Sequence, residues 1–494
     1  MKKRALASLL LLAILSSQIA CGTQTDDPKE TTPGQTSSEE TTTGKYDTGL
    51  PDRDFGGRTF TFAVRGAEGD PYQWNGTDIL ADEENGEALN DAVYKRNAYM
   101  LDKYNVKLAA LFCGGTSTGT TGSEMSGFIG KSVMSGESEF DAILTSPYDS
   151  IGYAANDYLI DIATIDHIDL SREWWNQNAN RELSMNGRVY ITTGELTYID
   201  NKAVQVLLFS KEMVDQYKLD DPYETVKSGK WTLDKFFANS RKVTEDVDGN
   251  GTFDEKDRYG FSYWQDGAFS MLAGTGVRYG KLENGEPTLT FYNEKTVNTW
   301  QKLISFIGED CAYSRLDYTS KGGNATELLV NMLEDNRSLY VWSVITDAIT
   351  LRSSNADFGI LPMPKYDEEQ ENYISNPHAY GHTMLTIPKT TANVEETGFI
   401  LEAFSAKSME IVTPAFYDVT LIGKSTRDDE SAEMLDLIYS TLVYDIGAFF
   451  MWGGLPDSVM QAWTEKNENL ASLYESKKAA VLAAVEETKT IFSK

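Results

Sequence analysis

Histidine is nearly absent from this chain: 494 residues contain three. Cysteine is equally scarce, at three. Positive charge is in deficit, with Lys+Arg 44 against Asp+Glu 75 and a net charge of −31. No run of 18 apolar residues occurs, so nothing in the sequence spans a bilayer permanently. Each shortage removes a class of function. A strongly acidic chain lacks the clustered Lys and Arg that phosphate backbones require, so nucleic acid is excluded as a partner. Adhesion of the folded surface to anionic lipid is excluded for the same reason. Cys113 and Cys311 stand far apart with no metal-ligand spacing; a disulfide is open to an exported protein, but two buried free thiols are the preferred reading. His378 and His382 are four apart, but Pro377 and Gly381 argue against the helix a zinc pair would need. No nucleophile motif for acyl transfer occurs. Carboxylates are so numerous that a pair for glycoside hydrolysis stays open, although no pair singles itself out.

The N-terminus is built for export. Lys2, Lys3 and Arg4 precede an apolar segment from Leu6 to Leu15, then small residues up to Ala20. Residues 1–20 read as a signal peptide. Cys21 stands at the cleavage point and resembles the lipid-accepting cysteine of bacterial lipoproteins, with Gln18 where leucine is usual. Residues 21–50 then form a tether of Thr, Ser, Glu, Asp, Pro and Gly, too poor in apolar residues to order itself.

The body alternates between two periodicities. Phe60, Phe62 and Val64 share one face of a predicted strand over 59–64. A helix is predicted over 85–104, a strand over 106–112, a helix over 124–135 and a strand over 141–144. That β–α–β–α–β order predicts a parallel, doubly wound sheet with ligands beyond its carboxyl ends. Further strands are predicted at 189–192, 204–209, 259–263, 338–344, 357–361 and 383–387. Thr232 is placed to cap a helix over 231–243, and the last third reads as mostly helical.

Several segments, in order, resemble the extracellular solute-binding proteins of bacterial ABC importers, of the carbohydrate-associated type. They are Phe140-Asp141-Ala142-Ile143 with Tyr158-Leu159-Ile160-Asp161-Ile162; Asn186-Gly187-Arg188-Val189-Tyr190; Leu208-Phe209-Ser210-Lys211; Trp231-Thr232-Leu233-Asp234-Lys235-Phe236; and Phe358-Gly359-Ile360-Leu361-Pro362-Met363-Pro364. The resemblance implies an α/β, two-lobed periplasmic-binding-protein-like fold. Each lobe would be a mainly parallel sheet flanked by helices, with a hinge of two or three crossing segments. Lobe one would take 55–195 and about 386–425. Lobe two and the hinge would take 206–380 and the C-terminal helices to 494. It further implies a monomeric receptor on the outer face of the cytoplasmic membrane, held by lipid at Cys21. Such a receptor captures an oligosaccharide and delivers it to ABC permease subunits without chemistry. A surface carbohydrate-active enzyme using paired carboxylates is the alternative.

Two sets of candidate residues follow. Asp246, Asp248, Asn250, Thr252, Asp254 and Asp257 repeat at positions 1, 3, 5, 7, 9 and 12, with Gly251 at 6 for the sharp turn. That is the spacing of a calcium loop, with aspartate replacing the usual glutamate at 12, and it predicts a structural Ca2+. Sugar sites pair flat aromatic rings with hydrogen-bonding edges. Trp74, Trp175, Trp264, Trp342 and Trp452 lie in loops or at strand ends. Trp342 and Trp452 are the leading cleft candidates among them. Arg65 follows the first strand and Tyr148 the third, where topology puts a ligand. Tyr198 and Tyr380 lie in the predicted crossings.

Overall fold

The computed structural model describes residues 46–67, 76–116, 122–351, 353–417 and 429–493. The signal segment, Cys21, most of the tether and Trp74 lie outside the described residues.

Two sheets organise the chain. The first contains β1 (Arg58–Val64), β2 (Val106–Phe112), β3 (Ala142–Thr145) and β11 (Met384–Thr386), in the order β11-β3-β1-β2. β1 runs parallel to both β2 and β3, and β11 closes the edge antiparallel to β3. The connections are α1 (Ala88–Tyr104) and α2 (Glu124–Ser135), and α3 (Pro147–Ala155) follows β3. Local chemistry explains these boundaries. Asn105 ends α1 in the left-handed conformation, and Ser123 with Ser126 forms a reciprocal cap at the start of α2.

The second sheet has the order β10-β4-β9-β5-β8, built from β4 (Gln205–Ser210), β5 (Tyr259–Tyr263), β8 (Ala312–Ser314), β9 (Ser338–Val344) and β10 (Phe358–Leu361). Its pairings of β5 with β8 and β9 are parallel, whereas β4 pairs antiparallel with both β9 and β10. The predicted helix after Thr232 is α4 (Leu233–Val243), and the Thr232 side chain accepts from the Lys235 amide. A small hairpin, β6 (Gly280–Glu283) and β7 (Glu286–Leu289), precedes α5 (Glu294–Ile307).

The late helices divide between the lobes. α6 (Val394–Pro414) packs on α1, and α7 (Asp429–Ser440) packs on β10. α8 (Leu455–Thr464) and α9 (Leu470–Ile491) pack on each other and on the second lobe. Among the described residues no helix is long and apolar enough to cross a membrane.

Strand alternation sorts the cores. Phe60, Phe62 and Val64 join Leu144, Leu385 and Phe399 in one cluster on one face of the first sheet. Ala63 and Ile143 face the other way. They belong to a second cluster that continues through Tyr198 and Val204 into Trp231, Phe236, Trp300 and Tyr340. Each buried Phe or Leu contributes about 1.5–3 kcal/mol. Apolar packing therefore ties the crossing segment to both lobes.

The predicted strand over 189–192 does not form. Its place is taken by isolated bridges, Met185 with Arg188 and Thr192 with Leu385. Asn186 and Gly187 form the tight turn, both with positive φ. Cys113 and Cys311 are free and buried, and burial pushes both thiols up to about 12.

Candidate functional site

The lobes are joined by two segments lying side by side, the outgoing one containing a single helical turn at Ile199–Lys202. Residues 192–205 leave the first lobe while 376–385 return to it. Thr192 and Leu385 exchange backbone hydrogen bonds of 3.1 and 2.7 Å, His378 donates to the Ala203 carbonyl at 2.7 Å, and Gln205 donates to Asn376 at 3.2 Å. A third strand-like stretch adds on, where Val443 donates to the Ser375 carbonyl at 2.9 Å.

Arg65 sits at the carboxyl end of β1, as topology predicts, but its role is different. Its guanidinium is 2% exposed and donates to the backbone carbonyls of Tyr380 and Gly381, both at 2.6 Å. Burial lowers its pKa to about 10, so it stays charged at neutral pH. The residue pegs the first strand to the returning segment. Asp78 pegs the outgoing one: buried itself, it accepts from the Thr197 hydroxyl at 2.6 Å and the Tyr198 amide at 3.0 Å. Tyr198 is buried and stacks on Phe416 at 6.0 Å. These contacts fill the side chain that was expected in the cleft.

Two tryptophans expected at the cleft are core. Trp175 is 1% exposed and donates its indole N–H to Glu402 at 2.9 Å. Trp452 is equally buried and donates to the Thr488 hydroxyl at 2.9 Å. The cause is close backbone approach. A Cβ on Gly280 would overlap the Trp452 ring, and one on Gly453 would overlap the backbone of α9 at Val481.

Three other candidates, Trp342, Tyr380 and Tyr148, gather around His378 and Asp266 at the seam between the lobes. Trp264 is half-buried just past β5, and Trp342 lies on β9. Trp342 is largely enclosed; it donates to Ser270 at 2.8 Å, and its ring lies 6.3 Å from that of His378. From the returning segment, His378 approaches Asp266 at 3.5 Å and lies edge-on to Tyr380, whose side chain is exposed. From the first lobe comes Tyr148, half-buried at the start of α3. Its hydroxyl is pushed up first by burial and then by the negative charges of Asp266 and Asp457.

Sequence reasoning missed four polar members of this group: Asp266, Arg315, Asp347 and His378. Arg315 is 4% exposed and donates to the Trp342 carbonyl at 2.6 Å, yet its Nε–H is buried without a partner. Asp347 accepts from the Ser343 hydroxyl at 2.6 Å. Asp266 and Arg315 follow β5 and β8, so the rule that ligands gather beyond strand ends reaches them once it is applied to both sheets.

The seam is drawn tight. Arg278 of the second lobe forms an ion pair with Glu182 of the first, both largely buried. Beside it a crevice walled by Tyr148, Phe269, Val277, Pro377, Val443 and Phe449 has a volume of about 40 Å³. One water needs about 10–15 Å³, so the crevice admits a few waters and no sugar ring. The seam must open for a ligand to enter.

The acidic loop sits elsewhere, between α4 and β5. Carboxylate oxygens of Asp246, Asp248 and Asp257 lie within 4.8 Å of one another. Asp257 is fully buried and accepts from the amides of Val247 and Asp254, both at 2.9 Å. Asp246 accepts from the Gly251 amide at 2.8 Å, and Asn250 Oδ1 from the Thr252 amide at 2.7 Å. The all-oxygen donor set suits a hard cation. Asp254 is not part of the close carboxylate group and accepts from the Lys256 amide at 2.9 Å.

No protein-family model and no curated protein matches this chain. Solved structures do. The galacto-N-biose-/lacto-N-biose I-binding protein of the ABC transporter from Bifidobacterium longum, in complex with lacto-N-biose, aligns with a TM-score of 0.58 and 13% identity, over 88% of this chain and 99% of that one. An ABC substrate-binding protein from Listeria monocytogenes, in complex with cycloalternan, aligns at 0.55 and 13%, over 86% and 98%. The GacH receptor of Streptomyces glaucescens, solved unliganded and with acarbose, aligns at 0.52 and 11%, over 88% and 99%. At these identities the likeness is one of fold: two α/β lobes of the periplasmic-binding-protein kind.

Proposed function

We propose that the protein is an exported solute-binding receptor that closes its two lobes on an oligosaccharide and delivers it to an ABC permease unchanged. The observation that carries this reading is the seam. Rings from both lobes and the hinge (Tyr148, Trp342 and Tyr380) lie around the Asp266 carboxylate, the buried Arg315 and the His378 imidazole, and Trp264 is proposed to join them. Rings cover the apolar C–H faces of a sugar, while Asp266, Asp347 and Arg315 accept from or donate to its hydroxyls. The shared fold supports it, since the three similar structures were solved with a sugar or pseudo-sugar bound: lacto-N-biose, cycloalternan and acarbose. Closure is a hinge motion, and a bound sugar shifts its equilibrium by as much as it prefers the closed state. Capture without chemistry fits the pKa pattern at the hinge. Burial lowers His382 to about 3, leaving it neutral and without use as an acid.

The N-terminal leader supports export and lipid attachment at Cys21, giving a receptor held at the outer face of the membrane. Cys21→Ala would then release the protein into the medium. The acidic loop is proposed to hold Ca2+ through Asp246, Asp248, Asn250, the Thr252 carbonyl and Asp257, with Asp254 acting through water. The ion would clip the helix-to-strand connection. Chelator should lower the melting temperature, and Asp257→Asn should remove that response. Unchanged melting with and without calcium would overturn it.

The test of the main reading is a thermal-shift screen of the purified protein against oligosaccharides, with product analysis. A saturable rise with the sugar intact is expected, because a ligand that binds only the native state stabilises it. Accumulation of cleaved sugar would replace the reading with the enzyme.

A further inference from the structure

The seam crevice is too small for a sugar ring, yet it adjoins the rings that would hold one. Tyr148 belongs to both the crevice and the aromatic group, and Pro377 and Ala379, which line the crevice, flank His378 in the chain. Its walls are unevenly shared. Of the described residues that line it, Tyr148 alone comes from the first lobe. The short helix Gly267–Gly274 supplies Phe269 and Ala273, and the returning segment supplies Asn376, Pro377 and Ala379. Opening the lobes therefore removes one wall and leaves a hollow in the second lobe and hinge. Tyr148 is the lid that closure brings.

The hollow selects its guest by size, polarity and charge. At about 10–15 Å³ for each water-sized group, its volume of about 40 Å³ takes about three or four such groups. Phe269, Leu272, Val277, Pro377 and Phe449 offer water few partners there, so an apolar group displaces it at a gain. Two donors stand among these apolar walls. Tyr148 is half-buried, and its hydroxyl makes no hydrogen bond to another described residue. Asn376 is half-buried too, and its side-chain amide N–H makes one long bond, of 3.4 Å, to the Pro377 carbonyl.

The two charged residues of the wall are already engaged. Arg278 pairs with Glu182, and Asp445 accepts from the amides of Tyr279, Gly280, Gly447 and Ala448. The hollow thus suits a small uncharged group with an apolar end and one acceptor. An acetyl group on nitrogen has that shape: a methyl, a carbonyl oxygen and no charge. A free amine would carry its charge into an apolar hollow, and a hydroxyl would leave most of the space empty.

We propose that this crevice is a subsite for the N-acetyl group of an amino sugar, with the methyl against Phe269, Val277 and Phe449 and the carbonyl oxygen accepting from Tyr148 and Asn376. The assignment rests on the oligosaccharide reading and narrows it to N-acetylated glycans. It also makes Tyr148 a specificity-determining residue, since it covers the substituent only when the lobes close.

The test is calorimetric titration of the purified protein with sugar pairs that differ in acetamido against hydroxyl: N,N′-diacetylchitobiose with cellobiose, and N-acetyllactosamine with lactose. The acetylated member should bind about tenfold or more tighter, as expected for filling an apolar pocket, and de-acetylated chitobiose should lose that advantage. Ala273→Leu fills the hollow from the helix side and should bring the acetylated sugar down to the level of its partner. Ala448→Leu is the second variant if the first does not fold. Tyr148→Phe keeps the ring and should weaken the acetylated sugar about threefold to tenfold, and its hydroxyl counterpart less. Equal affinity within each pair, or a preference that survives both leucine variants, overturns the subsite and leaves the receptor standing. So does a protein that binds other oligosaccharides but no acetylated one. A protein that binds no sugar overturns the receptor and the subsite together.

Discussion

Replacing Arg65 by methionine keeps the length of the stem and deletes the guanidinium. Topology alone makes Arg65 a ligand contact, but its two hydrogen bonds, both at 2.6 Å, end on the carbonyls of Tyr380 and Gly381. Removing the donor leaves those carbonyls in a water-poor site, because the side chain they serve is 2% exposed. A buried acceptor left unmatched costs about 1–3 kcal/mol, so the pair predicts a loss of about 2–6 kcal/mol. Relief from burying a charge works the other way and favours the lower half of that range. The assay is urea denaturation followed by tryptophan fluorescence. The expected result is a lower midpoint with an unchanged slope, since the surface exposed on unfolding hardly differs. Glycan affinity should fall less than stability does. A variant within about 0.5 kcal/mol of the parent that loses sugar binding a hundredfold would refute the peg and return Arg65 to the ligand site.

Glu402 offers a pH test. Burial, partly offset by the indole N–H of Trp175, raises its pKa to about 7. An acid raised in the folded state binds more protons there than in the unfolded chain, so stability should fall as pH rises from about 4.5 to 7. Glu402→Gln should remove part of that fall, up to about 2 kcal/mol, in denaturation curves at pH 5.5 and 8. Glu195, Asp200 and Asp445 are raised as well and act in the same direction, so some slope should persist. Gly194→Ala should destabilise by about 3 kcal/mol or more, because its Cβ would overlap the Trp174 carbonyl; a melting temperature equal to the parent's would refute that. Trp264→Ala should weaken glycan binding about tenfold or more with little change in melting, read by calorimetry.

The fold was legible where the signal was local. Phe60, Phe62 and Val64 alternate, so β1 could be read directly, and β2, β5, β9 and α2 emerged with the predicted limits. The segment over 189–192 alternates less cleanly and serves as hinge backbone, where bridges replace a ladder. Single side chains were harder. Trp452 and Trp342 both sit near turns or strand ends, yet one is clamped between Gly280 and α9 and the other borders the seam. That difference is set by glycines and helices far away in sequence. The polar members of the seam were illegible for the same reason: His378 meets Asp266 only after the second sheet has folded. The closeness of Asp246, Asp248 and Asp257 could be read because all three fall within one short loop.

The most direct measurement is a calorimetric titration of the purified protein with the best oligosaccharide from the screen, followed by mass analysis of the recovered sugar. One molecule should bind per chain, with a negative heat-capacity change from burying the seam aromatics, and leave with its mass unchanged. A sugar returned in pieces, or a protein that takes up no oligosaccharide at all, would contradict capture between the lobes.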